Sequence, residues 1–144
     1  MNTKICIIVS NFYPNISSML LKGALSVIKK NNNIKYKVFE TAGTLEIPTA
    51  TSILIKKFDA FIVLGCVIRG QTSHFDFICS SVFQSLLSLS VDNKVPIGNG
   101  ILTCENKSQA EVRANPKINN KGAAAAQAAI SLLKIKINEK KRTI

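Results

Sequence analysis

The pattern of apolar runs along this chain predicts an α/β fold, a mainly parallel sheet with helices on both faces. Two observations carry that reading. Four short apolar runs alternate with longer segments whose apolar residues recur at helical spacing, giving the order βαβαβαβαα. The chain has 144 residues, 47% of them hydrophobic and 19% charged, which suits one core and not two.

Taken in order, the first strand is expected over Lys4–Val9. Ile16–Lys30 follows as a helix, with Ile16, Met19, Leu20, Ala24, Val27 and Ile28 at helical spacing and Asn31-Asn32-Asn33 ending it. Ile34–Glu40 alternates as a strand does. Ile47–Lys57 is a second helix, with Pro48 in the first turn, where a missing N–H costs nothing. Asp59–Leu64 is a strand ended by Gly65, and Phe75 to about Ser90 is a third helix. Val95–Leu102 is the fourth strand, interrupted by Gly98 and Gly100. Glu105–Arg113 is a short helix and Gly122–Lys136 a long one rich in Ala. One domain spans residues 1–144. From about residue 137 it reads as a flexible basic tail, with Lys140, Lys141 and Arg142 against Glu139.

Composition narrows the function classes. Lys+Arg 19 against Asp+Glu 8 gives a net charge of +11, but only Arg69, Arg113 and Arg142 are arginines. Arg is the usual reader of base edges, so a Lys-heavy surplus argues for solubility and a field that draws in anions, not for nucleic-acid recognition. The aromatics are too few for a base-stacking surface. Cys6, Cys66, Cys79 and Cys104 share no CxxC spacing and read as buried thiols of a reducing compartment. With one His they do not make a zinc site, so no metal is expected. There is no glycine-rich dinucleotide or P-loop motif and no G-x-S-x-G elbow. Ile5–Val9 is too short for a signal peptide and no run approaches a membrane span, so the expectation is a soluble cytoplasmic protein.

Parallel sheets bind ligands outside the carboxyl ends of their strands. Ser10–Ile16, Thr41–Ile47, Gly65–Phe77 and the neighbourhood of Asn99–Asn106 fall there, holding the only His, Arg69 and four of the seven glycines. His74 opens a helix behind Gly70, Thr72 and Ser73, where free N–H groups attract anions, and an imidazole suits proton transfer near neutrality. The plain alternative is a first-turn residue with no task. Asp76 could sit near His74 and favour the imidazolium, although positions two apart on a helix diverge. Arg69 reads as a surface or interface cation. Arg113 either complements its helix dipole or clamps a phosphate, and Lys117 and Lys121 follow in a loop. Glu46 is a first-turn acid or an acceptor for substrate hydroxyls. Phe12 is a loop anchor or a stacking platform for a flat ring.

Five ordered blocks carry a resemblance: Asn11-Phe12-Tyr13-Pro14-Asn15-Ile16, Ala42-Gly43-Thr44-Leu45-Glu46-Ile47-Pro48, Gly65-Cys66-Val67-Ile68-Arg69-Gly70-Gln71-Thr72-Ser73-His74-Phe75-Asp76, Val95-Pro96-Ile97-Gly98-Asn99-Gly100-Ile101-Leu102-Thr103 and Asn120-Lys121-Gly122. Over roughly residues 4–135 the chain resembles the lumazine synthase family, the 6,7-dimethyl-8-ribityllumazine synthases of riboflavin biosynthesis. The resemblance implies a flavodoxin-like three-layer sandwich with a four-stranded parallel sheet, and assembly into homopentamers. It implies a transferase that condenses 5-amino-6-(ribitylamino)uracil with 3,4-dihydroxy-2-butanone 4-phosphate, releasing phosphate and water, with no cofactor and no metal.

It also implies roles for residues. His74 is the acid/base, and Thr72 with the backbone from Gly70 through Gln71 to Ser73 is the phosphate turn. Phe12 stacks on the uracil, Thr44 and Glu46 hold the ribityl chain, and Val67 and Ile68 line the ring pocket. Asn99, Arg113 and Lys121 come from the neighbouring subunit, Arg113 to the phosphate. Asn99 stands where many relatives have an aromatic, Gln71 where Glu is common and Leu45 where Phe is frequent. The start of the chain almost at its first strand favours a free pentamer over a larger shell. Two rival readings are a non-catalytic flavin- or lumazine-binding relative, which could lose His74 or Arg113, and a basic nucleic-acid-binding protein.

Overall fold

The computed structural model describes residues 2–142. Its strands are β1 (Thr3–Ser10), β2 (Ile34–Thr41), β3 (Ala60–Ile68) and β4 (Ile97–Cys104). Its helices are α1 (Pro14–Ile28), α2 (Ile47–Leu54), α3 (His74–Asn93), α4 (Lys107–Ala114) and α5 (Lys121–Arg142), and a 3-10 turn, Thr44–Glu46, leads into α2. The sheet order is β2-β1-β3-β4 and every pair is parallel. Helices α1, α4 and α5 cover one face and α2 and α3 the other, the expected three-layer α/β sandwich, consistent with a flavodoxin-like fold.

Strand residues alternate between two cores. Ile5, Ile7 and Val9 of β1 and Ile62 and Leu64 of β3 pack under α1 and α5. Cys6, Ile8, Phe61 and Val63 pack under α2 and α3. Both central strands are buried on both faces, which is why they read as unbroken apolar runs. Cys6, Cys66 and Cys104 are buried and Cys79 is half-buried; all four are free thiols.

Pairing moves several boundaries away from those the sequence suggests. β3 does not end at Gly65: it runs on to Ile68, because Gly65 pairs with Ile101 and Ile68 with Cys104. Gly98 and Gly100 do not interrupt β4. They let α5 lie close on it, since a methyl group on Gly98 would collide with the Ala125 carbonyl and one on Gly100 would lie 3.1 Å from Ala125 Cβ. α2 stops at Leu54 and not at Lys57, and α3 runs to Asn93, where Lys94 takes the left-handed conformation at φ 54°. α5 stays helical to Arg142, past the expected start of the tail; Thr143 and Ile144 lie outside the described residues. No described helix is long and apolar enough to cross a membrane.

A second close joint holds α1 to α5. Gly122 lies against the Leu20 carbonyl and Gly23 against the Asn120 side chain, with no room for a β-carbon at either glycine. Asn120 Nδ2 donates to Met19 O at 3.0 Å and to Ala114 O at 2.6 Å, and its Oδ1 accepts the Ala123 N–H at 2.9 Å. A buried amide with its donors and acceptor all used is stabilising where an unpaired one would not be.

Gly98→Ala is expected to destabilise the fold by about 1–3 kcal/mol, the usual range for overpacking a close interior contact. That corresponds to a fall in Tm of roughly 2–12 °C for a domain of this size. Gly70→Ala, where a methyl group meets nothing within 4 Å, should leave Tm unchanged. Calorimetry on both variants checks the pair.

Candidate active site

The site begins with an offset between strands. β1 ends at Ser10, beside Thr41 of β2, and its last pair with β3 is Val9 with Leu64. β3 continues beyond that point with a partner only on its β4 side. Cys66, Val67 and Ile68 therefore border open space where β1 has stopped. The loop carrying Phe12 and Tyr13, the segment Gly43–Leu45 and the start of α3 enclose that space as a pocket of about 320 Å³. Its size lies at the small end of the range for small-molecule sites.

Six of the residues singled out from the sequence line this pocket: Phe12, Thr44, Val67, Ile68, Thr72 and His74. Phe12 is 66% exposed and meets Tyr13 edge-to-face at 5.0 Å between centroids, so most of its ring stands open to a ligand. Thr44 is buried at the head of the 3-10 turn. The Thr72 hydroxyl accepts the His74 N–H at 3.3 Å. His74 is the first residue of α3 and is exposed, and its imidazole has no hydrogen-bond or ion-pair partner among the described residues. Asp76 does not serve it. Both Asp76 oxygens accept from the Arg69 fork, at 3.1 and 3.0 Å, because Arg69 reaches across the turn to the first turn of α3.

Glu46 and Gln71 are not among the residues that line the pocket. Glu46 stands at its rim, where a methyl group on the lining residue Gly43 would lie 3.0 Å from Glu46 Oε1. Gln71 is an exposed member of the turn before α3. Asn99, Arg113 and Lys121 line a different hollow, of about 400 Å³, alongside β4 and Phe83 of α3. The two spaces have no lining residue in common. Asn99 Oδ1 accepts the Ile101 N–H at 2.9 Å, and Arg113 Nη1 donates to Gln109 O at 3.4 Å from the last turn of α4.

Sequence reasoning gave no site role to six further lining residues, Tyr13, Gly43, Leu45, Cys66, Phe75 and Ile78. All but Ile78 lie inside the motif blocks, so their positions were visible even though their exposure to the pocket was not. Burial, and then Cys66, push the Tyr13 hydroxyl above its ordinary range. The site thus combines an apolar wall, an exposed aromatic, an uncapped helix start and a free imidazole.

Comparisons agree with these motifs. A family model described as 6,7-dimethyl-8-ribityllumazine synthase matches residues 2–136. The chain is 40% identical over 139 residues to a protein of that name from Bartonella bacilliformis, covering 94% of this chain and 91% of that relative. It is 42% identical over 135 residues to one from Methylobacterium radiotolerans, covering 92% and 82%.

Burial pushes the Cys6 and Cys66 thiols from 9.0 up to about 12. A folded-state pKa raised in this way favours folding fully below about pH 9, and the contribution is lost as pH rises toward about 12. At about pH 8 the native protein should resist iodoacetamide at both positions, since the thiolate is the nucleophile, and it should lose stability above pH 9. Peptide mass spectrometry checks the first outcome; fast alkylation of native Cys66 would contradict it.

Proposed function

The chain belongs to the 6,7-dimethyl-8-ribityllumazine synthase family, and we propose that it is the riboflavin-biosynthesis transferase that condenses 5-amino-6-(ribitylamino)uracil with 3,4-dihydroxy-2-butanone 4-phosphate. The observation that carries this reading is the pocket in which His74 and Thr72 face an apolar wall of Val67 and Ile68 beside the open ring of Phe12. The reaction needs a surface for a flat ring, a seat for a phosphate and a group that moves protons. Phe12 stacks on the uracil, and Val67 and Ile68 keep water from its edge. Thr44 and, from the rim, Glu46 take the ribityl hydroxyls. The N–H groups of Gly70–Ser73 and the start of α3 receive the phosphate, with the Thr72 hydroxyl beside them. Gln71 brings no charge to that turn.

The amine of the uracil adds to the ketone and water leaves, giving an imine. Loss of a proton from the adjacent carbon and expulsion of phosphate from the next leave an enol, which becomes a ketone as its terminal carbon takes up a proton; the ribitylamino nitrogen then closes onto that carbonyl, and loss of a second water completes the lumazine. The elimination and the tautomerisation each move a proton at or beside the carbon that carried the phosphate. His74 follows the phosphate turn directly and shares no carboxylate, so its imidazole can accept and return protons there.

The protein works as a cytoplasmic homopentamer in this reading, with each site completed by Asn99, Arg113 and Lys121 of the next subunit. Two observations support the ring. Those three residues line a hollow separate from the pocket, and α3 exposes an apolar stripe of Phe83, Leu87 and Val91, with Leu87 67% exposed. A stripe of this kind marks an interaction surface, and a head-to-tail contact repeated around an axis closes a ring. The presence of both His74 and Arg113 favours catalysis over a passive flavin- or lumazine-binding role. The few arginines disfavour a nucleic-acid partner.

His74→Ala should reduce kcat by up to about 10²–10⁴-fold, the usual contribution of a general acid–base group, or by less because amine and ketone react unaided. The assay is lumazine fluorescence, and an unchanged kcat in a folded variant removes His74 from the mechanism. Arg113→Ala should raise KM for the butanone phosphate far more than for the uracil, which carries no phosphate. Co-refolding the two impaired variants should give more activity at low butanone phosphate than the sum of the two alone, and light scattering should give a mass near five chains. An active monomer would refute the shared site.

A further inference from the structure

We propose that Arg69 is a positioning residue that sets the shape of the phosphate turn without touching the phosphate. The inference rests on the function assigned above to Gly70–Ser73. All four residues of that turn are exposed, and a methyl group on Gly70 would meet nothing within 4 Å, so packing does not shape it. Within it the Thr72 side chain supplies one weak bond, to the His74 N–H, and α3 starts without a side-chain cap. The turn's geometry comes chiefly from its two ends: the Arg69 main chain holds the strand end and its side chain the helix end.

At the strand end, the Arg69 N–H donates to Cys104 O at 2.9 Å. At the helix end, its guanidinium forks onto both oxygens of Asp76, at 3.1 and 3.0 Å, and lies over the Phe75 ring at 4.5 Å. Its Nε reaches Glu105 in the loop between β4 and α4, at 2.8 Å. The guanidinium thus ties the start of α3 and Glu105 to the residue that follows β3, around a loop whose own bonds are few: Thr72 Oγ1 accepts the His74 N–H, and the Ser73 carbonyl accepts the Asp76 and Phe77 N–H groups. A lone exposed ion pair contributes little, but a bidentate, stacked, three-way arrangement fixes geometry that a lysine cannot copy.

The charge balance excludes a direct role. Two carboxylates already face this one guanidinium, so it is not a free cation for phosphate. It also neutralises Asp76, which stands in the first turn of α3. Released from Arg69, that carboxylate would compete with an anion for the same helix start.

The distinguishing experiment compares Arg69→Gln, Arg69→Lys and the double variant Arg69→Gln/Asp76→Asn with the parent protein. Readouts are KM for each substrate, inhibition by inorganic phosphate, and the Tm shift that inorganic phosphate produces. Arg69→Gln should raise KM for the butanone phosphate and the phosphate inhibition constant by about tenfold, the scale of coupling between directly interacting side chains, and move KM for the uracil much less. Arg69→Lys should not rescue it, because a lysine lacks the fork. Adding Asp76→Asn should recover part of the loss by removing the released charge. Equal changes for both substrates, rescue by lysine or no recovery in the double variant would overturn the proposal. If the parent protein fails to turn over the two substrates while phosphate raises its Tm and Arg69→Gln abolishes that rise, the functional reading fails and the clasp stands.

Discussion

The parallel pairing of β1 with β3 is the constraint from which the rest of the site follows. It places two largely buried strands side by side at the centre of the sheet. It also ends early: β1 stops while β3 continues in register with β4. Had the two strands ended level, a backbone ladder would fill the space now bordered by Cys66, Val67 and Ile68. The pocket is therefore a missing stretch of sheet, walled by residues that a strand would otherwise have covered. The loops after β1 and β2 arrive at the same edge because Ser10 and Thr41 are register partners.

The opposite end of the sheet solves a different problem. β4 is an edge strand, and its alternate residues serve two surfaces. Gly98 and Gly100 turn toward α5, where Ala125 and Ala129 leave only enough space for hydrogen. Asn99, Ile101 and Thr103 turn the other way, toward Phe83. The small residues on one side fix how closely α5 approaches, and so where Lys121 at its start is held. Asn120 performs the same service for α4 and Arg113 by tying Ala114 to α1.

The element order was legible because burial on two faces leaves an unbroken apolar run and burial of one helical face leaves a 3.6-residue period. What was not legible depends on pairing across the chain. Gly65 looks like a stop, yet the ladder to Ile101 carries the strand through it. Gly98 and Gly100 look like interruptions until α5 is seen against them. At the site, Phe12, Thr72 and His74 could be placed by their position after strands, and the motif blocks added Thr44, Val67 and Ile68. Glu46 and Gln71 belong to the right segments but stand outside the pocket wall. The partner of Asp76 could not be read locally, because residues two apart on a helix diverge while Arg69, seven positions back, is brought round by the turn.

Helix α3 has an uncapped amino end at the pocket and an apolar stripe farther along its length. With 20 residues it is a rod about 30 Å long. An anion seated on its amino end would stabilise the folded chain by mass action, in proportion to the logarithm of its concentration over its dissociation constant once that ratio is large. The same rod presents Phe83, Leu87 and Val91 to any neighbour that covers them. Occupancy and association would then act on one element, and linkage would make any coupling reciprocal: a ligand that steadied α3 for assembly would be bound more tightly once assembly had occurred.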